Sequence, residues 1–248
     1  MLETQKRVWF LDELRGLVIL LMIFYHTLYD IVFVFEKSTM NFYSPVLNLI
    51  QMFIATTFVT LSGIVSNYSK NNLKRGIQCL FFALILSLVT YFVMPSQIVI
   101  FGVLHLLGCC MLIYHFIQKP LKKIPVFVGA IIFLMLFAFT YNITSGFLGL
   151  FGIPMIHLSP TLYRYKLLSI MGFPSSEFHS SDYFPIIPWI FLYIFGTYVG
   201  IFFKSNRAPH FFYKPHIKPL AFLGRHSLLI YLLHQPVTYG ILYLFFNR

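Results

Sequence analysis

The sequence predicts an all-α fold, a polytopic transmembrane helix bundle of about seven spans, and three observations carry that expectation. Hydrophobic residues make up 58% of the 248-residue chain and charged residues only 10%. The mean hydropathy is +0.80, far outside the range of a water-soluble domain. Apolar runs long enough to cross roughly 30 Å of hydrocarbon recur along the whole length, and only helices satisfy their own backbone hydrogen bonds there. The runs are continuous rather than alternating, which argues against a β-barrel.

Seven segments fit a span: 17–35, 46–66, 77–94, 98–117, 126–143, 184–203 and 220–246, with ends placed to within about 2–4 residues. The last is longer than a simple crossing needs, so it is expected to be tilted, broken or partly outside the membrane. Connections are short except for 144–183, which carries Gly146, Gly149, Gly152, Pro154, Pro160 and Pro174 between amphipathic pieces. A connection of that length in a compact protein is seldom inert. No internal repeat or low-complexity linker interrupts the chain, so residues 1–248 are read as a single domain.

Fourteen of the eighteen Lys and Arg residues fall in the first, third, fifth and seventh non-membrane segments. The positive-inside rule then puts the N-terminus in the cytoplasm, and seven crossings put the C-terminus and the 144–183 loop outside. The net charge of +11 is mostly a cytoplasmic rim beside anionic lipid headgroups, so no nucleic-acid partner is implied. The first span lacks a small-residue cleavage site and is preceded by Asp12, Glu13 and Arg15, which reads as a retained anchor. Cys79, Cys109 and Cys110 lie within spans without metal-ligand spacing and read as small core residues.

The polar residues inside the spans carry the chemistry. Arg15 and His26 are eleven residues apart, three helical turns plus about 20°, and so share a face roughly 16 Å apart along the axis. Asp30, four residues beyond His26, shares that face. An ionised group at the bilayer centre costs at least about 2.5–3.5 kcal/mol, so His26 and Asp30 are expected to face protein or water. A His–Asp pair that merely joins helices is the plain alternative, although Ser or Asn would serve that purpose. His105 sits between Gly102 and Gly108, a small-residue face on which another helix can approach, and a satisfied core histidine competes there with a catalytic one. In SSDYFPIIPW, Asp182 is either a helix cap or a polar group at the outer rim of a cavity, and Tyr183 suits the interfacial belt. In LGRHSLLIYLLHQPV, Arg225 and His226 mark the cytoplasmic start. His234 and Gln235 precede Pro236, which removes a hydrogen bond to the carbonyl of Leu232 and predicts a kink beside a polar pair.

The ordered set LDELRGLVILLMIFYH, FVTLSGI, FGVLHLLG, DYFPIIPW and LGRHSLLIYLLHQP resembles the bacterial branch of the heparan-alpha-glucosaminide N-acetyltransferase-like membrane proteins. The likeness covers nearly the whole chain. The wider transmembrane acyltransferase superfamily, which includes bacterial sugar O-acyltransferases, shares an RG motif followed by His at the spacing of Arg15 to His26. The resemblance implies a multi-pass protein of the bacterial cell membrane that moves an acetyl group from cytosolic acetyl-CoA to a sugar on the far side. One position departs from the lysosomal enzymes. Their residue matching His26 is an asparagine, and their catalytic histidine falls in the following loop, where this chain has Glu36, Lys37 and Ser38. His26 follows the O-acyltransferase pattern instead, which leaves an amine and a hydroxyl acceptor both open.

On this reading Arg15, Arg225 and His226 bind the CoA phosphates at the cytoplasmic rim. His26, oriented by Asp30, takes the acceptor proton or the acetyl group, and His105 or His234 polarises the thioester carbonyl. Asp182, Tyr183 and Gln235 hold the acceptor. No metal is expected, because the histidines lie on separate spans without ligand spacing. The partners are the bilayer, acyl-CoA and a saccharide, with self-association as a homodimer left open. A proton-coupled solute transporter using the same His and Asp residues is the competing reading. The odd span number and the absence of an inverted repeat count against it.

Overall fold

The computed structural model describes residues 7–205 and 208–246; Lys6, Arg207 and Arg248, which enter the charge asymmetry, lie outside them. The described chain is mostly helical, and six helical segments are long and apolar enough to cross a membrane: Trp9–Val34, Pro45–Ser66, Asn72–Val93, Val126–Ser145, Ile186–Lys204 and Ser227–Phe246. They correspond to six of the seven expected spans. The remaining one, 98–117, is helical over Val103–Leu121 but is not in that set. His105, His115, Gln118 and Lys119 dilute its apolar character, and a helix sheathed by protein on much of its surface can carry them.

By its packing the chain divides into two compact units, Met1–Leu61 with Ser205–Arg248, and Ser62–Lys204. The first contains helix α1 (Trp9–Tyr29), which runs into a π-helical turn at Asp30–Val34, and most of α2 (Pro45–Ser66). It is completed by α7 (Lys218–Arg225) and α8 (Ser227–Phe246), with His226 breaking the helix between them. That break is the interruption expected in the 220–246 segment. Pro236, in contrast, lies inside an uninterrupted α8. A proline forfeits one backbone hydrogen bond without ending a helix whose other turns persist on both sides.

The first unit is held by α1 lying along α7 and against α8. The approach is close. A Cβ at Gly16 would stand 2.0 Å from the carbonyl oxygen of Leu220, and one at Gly224 would stand 1.9 Å from that of Asp12. Only hydrogen at both positions lets these two backbones meet. Glu13 secures the same junction. Its buried carboxylate accepts the backbone N–H groups of His216 at 2.6 Å and Ile217 at 2.8 Å, which are among the otherwise unpaired donors at the start of α7. The DELRG segment is therefore first of all the piece that docks α7 on α1.

The second unit contains the end of α2, α3 (Asn72–Val93), α4 (Val103–Leu121), α5 (Val126–Thr140) and α6 (Ile186–Lys204). Helix α3 packs on α4 and α5 on α6. Gly76 and Gly108 face each other where α3 meets α4, the small-residue approach expected beside His105. The long 144–183 connection is folded. It forms an antiparallel hairpin of β1 (Phe147–Leu150) and β2 (Ile153–His157) followed by 3₁₀ turns, an addition to the expected all-α fold. Phe151 and Gly152 both have positive φ, as a tight two-residue hairpin turn requires.

Candidate active site

In the first unit the edge of one imidazole meets the face of another. His26 on α1 and His234 on α8 have ring centroids 5.0 Å apart at an interplanar angle of 75°. Each ring is fixed by its own helix: His26 Nδ1 lies 2.9 Å from the carbonyl of Met22, and His234 Nδ1 lies 2.6 Å from that of Tyr231. A carbonyl only accepts, so both Nδ1 atoms carry hydrogen, and in the neutral form of either ring Nε2 is left with a bare lone pair. The Nε2 of His234 is buried and has no partner among the described residues. Both rings as a whole are half-buried. The sequence placed these two histidines on different helices; their edge-on pairing is a product of the tertiary fold.

Asp30 is fully buried. Gln235, next to His234 on α8, donates its Nε2 hydrogens to both carboxylate oxygens, at 2.7 and 2.9 Å. Asp30 was expected to orient His26. Instead the Met22 carbonyl holds His26, because side chains on a helix lean toward its N-terminus and reach the carbonyl four residues back. The carboxylate is the anchor of Gln235, fixing α8 to α1 at the depth of the histidine pair. The Oε1 of Gln235 is buried without a partner among the described residues, so adjacent residues present two unsatisfied acceptors. Sequence reasoning found Asp30 and Gln235 separately; their pairing across 205 positions had no local signal.

At the start of α1 a set of cations gathers. Asp12 accepts from Arg7 at 2.6 Å and from Arg15 at 3.4 Å. The Arg7 guanidinium lies 4.8 Å over the Trp9 ring, and that of Arg225 lies 6.0 Å from the same ring. His226 donates to the carbonyl of Phe222 at 2.9 Å, with the two rings 4.4 Å apart. The structure thus brings Arg15, Arg225 and His226 to the α1–α7 end of this unit. Glu13, Gly16 and Trp9 position them and were not singled out from sequence. A carboxylate written into an arginine-rich helix start was the available signal.

His105 and Asp182 belong to the second unit, where both serve the N-terminus of α4. The N–H of Gly102 donates to His105 Nδ1 at 3.3 Å, so the ring hydrogen is on Nε2, which faces Ser87 Oγ at 3.4 Å. Ser87 in turn donates to the carbonyl of Val99 at 2.6 Å. Asp182 Oδ2 accepts the N–H of Val103 at 3.0 Å. Asp182 is thus a cap, as one of its two readings expected, but of α4 rather than of α6, the helix that follows it in sequence. Tyr183 donates its hydroxyl to the carbonyl of Ser169.

No curated protein and no solved structure matches the chain. The family model described as heparan-alpha-glucosaminide N-acetyltransferase, catalytic, matches residues 7–236, a stretch that takes in the DELRG segment, both histidines of the pair, Asp30 and Gln235. With nearly its whole length inside that match, the chain belongs to the heparan-alpha-glucosaminide N-acetyltransferase catalytic family.

Proposed function

We propose that the protein is a transmembrane acyltransferase that carries an acetyl group from cytosolic acetyl-CoA to a sugar hydroxyl or amine on the extracytoplasmic side. The observation that carries this reading, within the family, is the His26–His234 pair with two bare Nε2 atoms in a half-buried setting. Two neutral imidazoles held in that tautomer are acceptors, suited to removing a proton or attacking a carbonyl.

The acceptor oxygen or nitrogen attacks the thioester carbonyl carbon as its hydrogen passes to His26 Nε2. The resulting tetrahedral adduct expels the CoA thiolate, which recovers that proton from the imidazolium. In the two-step variant His26 Nε2 attacks first and CoA leaves as the thiolate; the acetylimidazolium then passes the acetyl group to the acceptor, whose proton goes to the CoA thiolate, directly or by way of His234 Nε2. His234 stands beside His26 in either route and stabilises or relays the positive charge that develops there. With its Nδ1 hydrogen given to the Tyr231 carbonyl, the neutral ring has no hydrogen on Nε2 to give a carbonyl, so proton acceptance fits it better than polarising the thioester. Asp30 holds Gln235, and Gln235 Oε1 receives a hydrogen from the substrate. Arg15, Arg225 and His226 offer the positive end for the CoA phosphates.

The test is release of free CoA from acetyl-CoA by the purified protein, with and without a panel of sugar acceptors. Release that requires both an acceptor and His26 supports the reading. Full activity of His26→Ala removes that residue from the chemistry. Solute flux into proteoliposomes without acyl-CoA, together with no CoA release for any acceptor, replaces the enzyme with the transporter.

A further inference from the structure

The second unit holds a cavity of about 500 Å³ between the end of α5, the folded 144–183 connection and the start of α6. That volume lies within the roughly 300–1,000 Å³ typical of small-molecule sites. Its walls combine two kinds of residue. Tyr141, Phe178, Tyr183 and Trp189 supply aromatic rings, and Asn142, Thr144, Ser145 and His179 supply polar side chains. No Lys, Arg, Asp or Glu is in the lining, and three prolines stiffen it.

The rings are fixed before any ligand arrives. The Tyr183 hydroxyl is bound to the Ser169 carbonyl, and its ring stands 5.0 Å from that of Phe178. Trp189 is wedged 5.0 Å from Phe184 and 5.6 Å from Phe137. The polar groups are differently placed. Ser180 is engaged by the Ile100 N–H and the Asp182 carbonyl, whereas the side chains of half-buried Asn142 and exposed Thr144, Ser145 and His179 make no hydrogen bond among the described residues although they line the same cavity. Donors and acceptors left open between rigid aromatic faces suit a ligand with hydroxyls around its edge and C–H groups on its face. An apolar lipid tail would leave the polar groups unsatisfied, and an anion would meet no Lys or Arg.

We propose that this cavity binds a neutral saccharide, its ring stacked on Trp189 or Tyr183 and its hydroxyls held by Asn142 and His179. The site is formed by the second unit alone and contains none of the histidines, arginines or carboxylates assigned to acetyl transfer; of the residues expected to hold the acceptor it includes Tyr183. Its use as the anchor for the non-reacting part of the acceptor rests on the acyltransferase reading, whereas the binding itself does not.

The chain has two tryptophans, so Trp9→Phe leaves Trp189 as the single indole reporter within the full-length protein. Cellobiose and N,N′-diacetylchitobiose titrated into that variant are expected to shift its emission saturably. Asn142→Ala with His179→Ala, two side chains without structural partners, is expected to weaken the response about tenfold, the loss of roughly two hydrogen bonds. His26→Ala is expected to bind the same saccharides with unchanged affinity. A flat titration with both disaccharides overturns the proposal, as does a saturable response to phosphocholine or a heparin disaccharide in place of the neutral sugars. Saccharide binding without CoA release would sink the acyltransferase reading and leave this site standing, and acetyl transfer with no response at Trp189 would do the reverse.

Discussion

His26 and His105 are the same residue type, each set in an apolar helical run, and their nitrogens end in opposite situations. His105 spends both: Nδ1 accepts the Gly102 N–H and Nε2 meets Ser87, closing a chain that ends on the Val99 carbonyl. His26 and His234 spend one each, on their own helices, and keep Nε2 bare. A histidine whose valences are used up stabilises a helix end, while one that keeps a lone pair unused can accept a proton or attack a carbonyl. What separates them is the count of hydrogen bonds already made.

The sharpest way to break this comparison is to remove one ring from each side. His26→Ala is expected to lower the acetyl-transfer rate by about 10²–10⁴-fold, the usual range for a positioned base, with a helical circular dichroism spectrum and melting temperature near the wild type. A rate within a few-fold of the wild type would erase the distinction. Gln235→Leu comes next. It strips both hydrogen bonds from the buried Asp30 carboxylate and is expected to cost about 1.5–3 kcal/mol of stability, read in a detergent melt, along with most of the activity. Loss of activity alone would show that Asp30 finds another partner.

His105→Ala should behave in the contrary sense. Two hydrogen bonds at the start of α4 are lost, about 1–2 kcal/mol together, while turnover per folded molecule stays constant. His105→Asn, whose amide oxygen can still accept from the Gly102 N–H, is expected to recover part of the melting temperature. A fall in turnover with an unchanged melt would move His105 to the side of His26. The smallest effect belongs to the Lys166–Glu177 ion pair at 2.6 Å, whose side chains are 69% and 72% exposed. The hydrogen bond and charge of Lys166 hold the Glu177 carboxyl below its ordinary value. Its contribution is therefore present at neutral pH and lost as pH falls through that lowered value. Solvent screens so exposed a pair, and Lys166→Ala is expected to leave the melting temperature unchanged at pH 7 and at pH 4.

Much of the candidate site was visible as single residues. Arg15, His26, Asp30, His234 and Gln235 stand out because polar groups are costly in an apolar run, and that cost is a property of composition. Their partners were not visible in the same way. Helical spacing put Asp30 on the face of His26 and implied a bond between them, yet the lean of helical side chains gives His26 to Met22 and leaves Asp30 for Gln235. Glu13 passed for a flanking charge because its partners, the His216 and Ile217 N–H groups, are 203 and 204 positions away. Asp182 stands just before α6 in sequence but caps α4, at a residue 79 positions earlier.

By itself the sequence determined the helical membrane class and where six of the seven expected spans lie among the described residues, since hydropathy acts over a few turns. It foretold an irregular last span but put the kink at Pro236, whereas the helix breaks at His226. Tertiary structure alone decided which lone pairs stay bare, which carboxylate holds which helix, and that the long connection folds over a cavity lined by aromatic rings and polar side chains. A hydrogen bond requires two particular atoms to meet within about 3 Å, and for residues two hundred positions apart only the packing of the whole unit sets that distance.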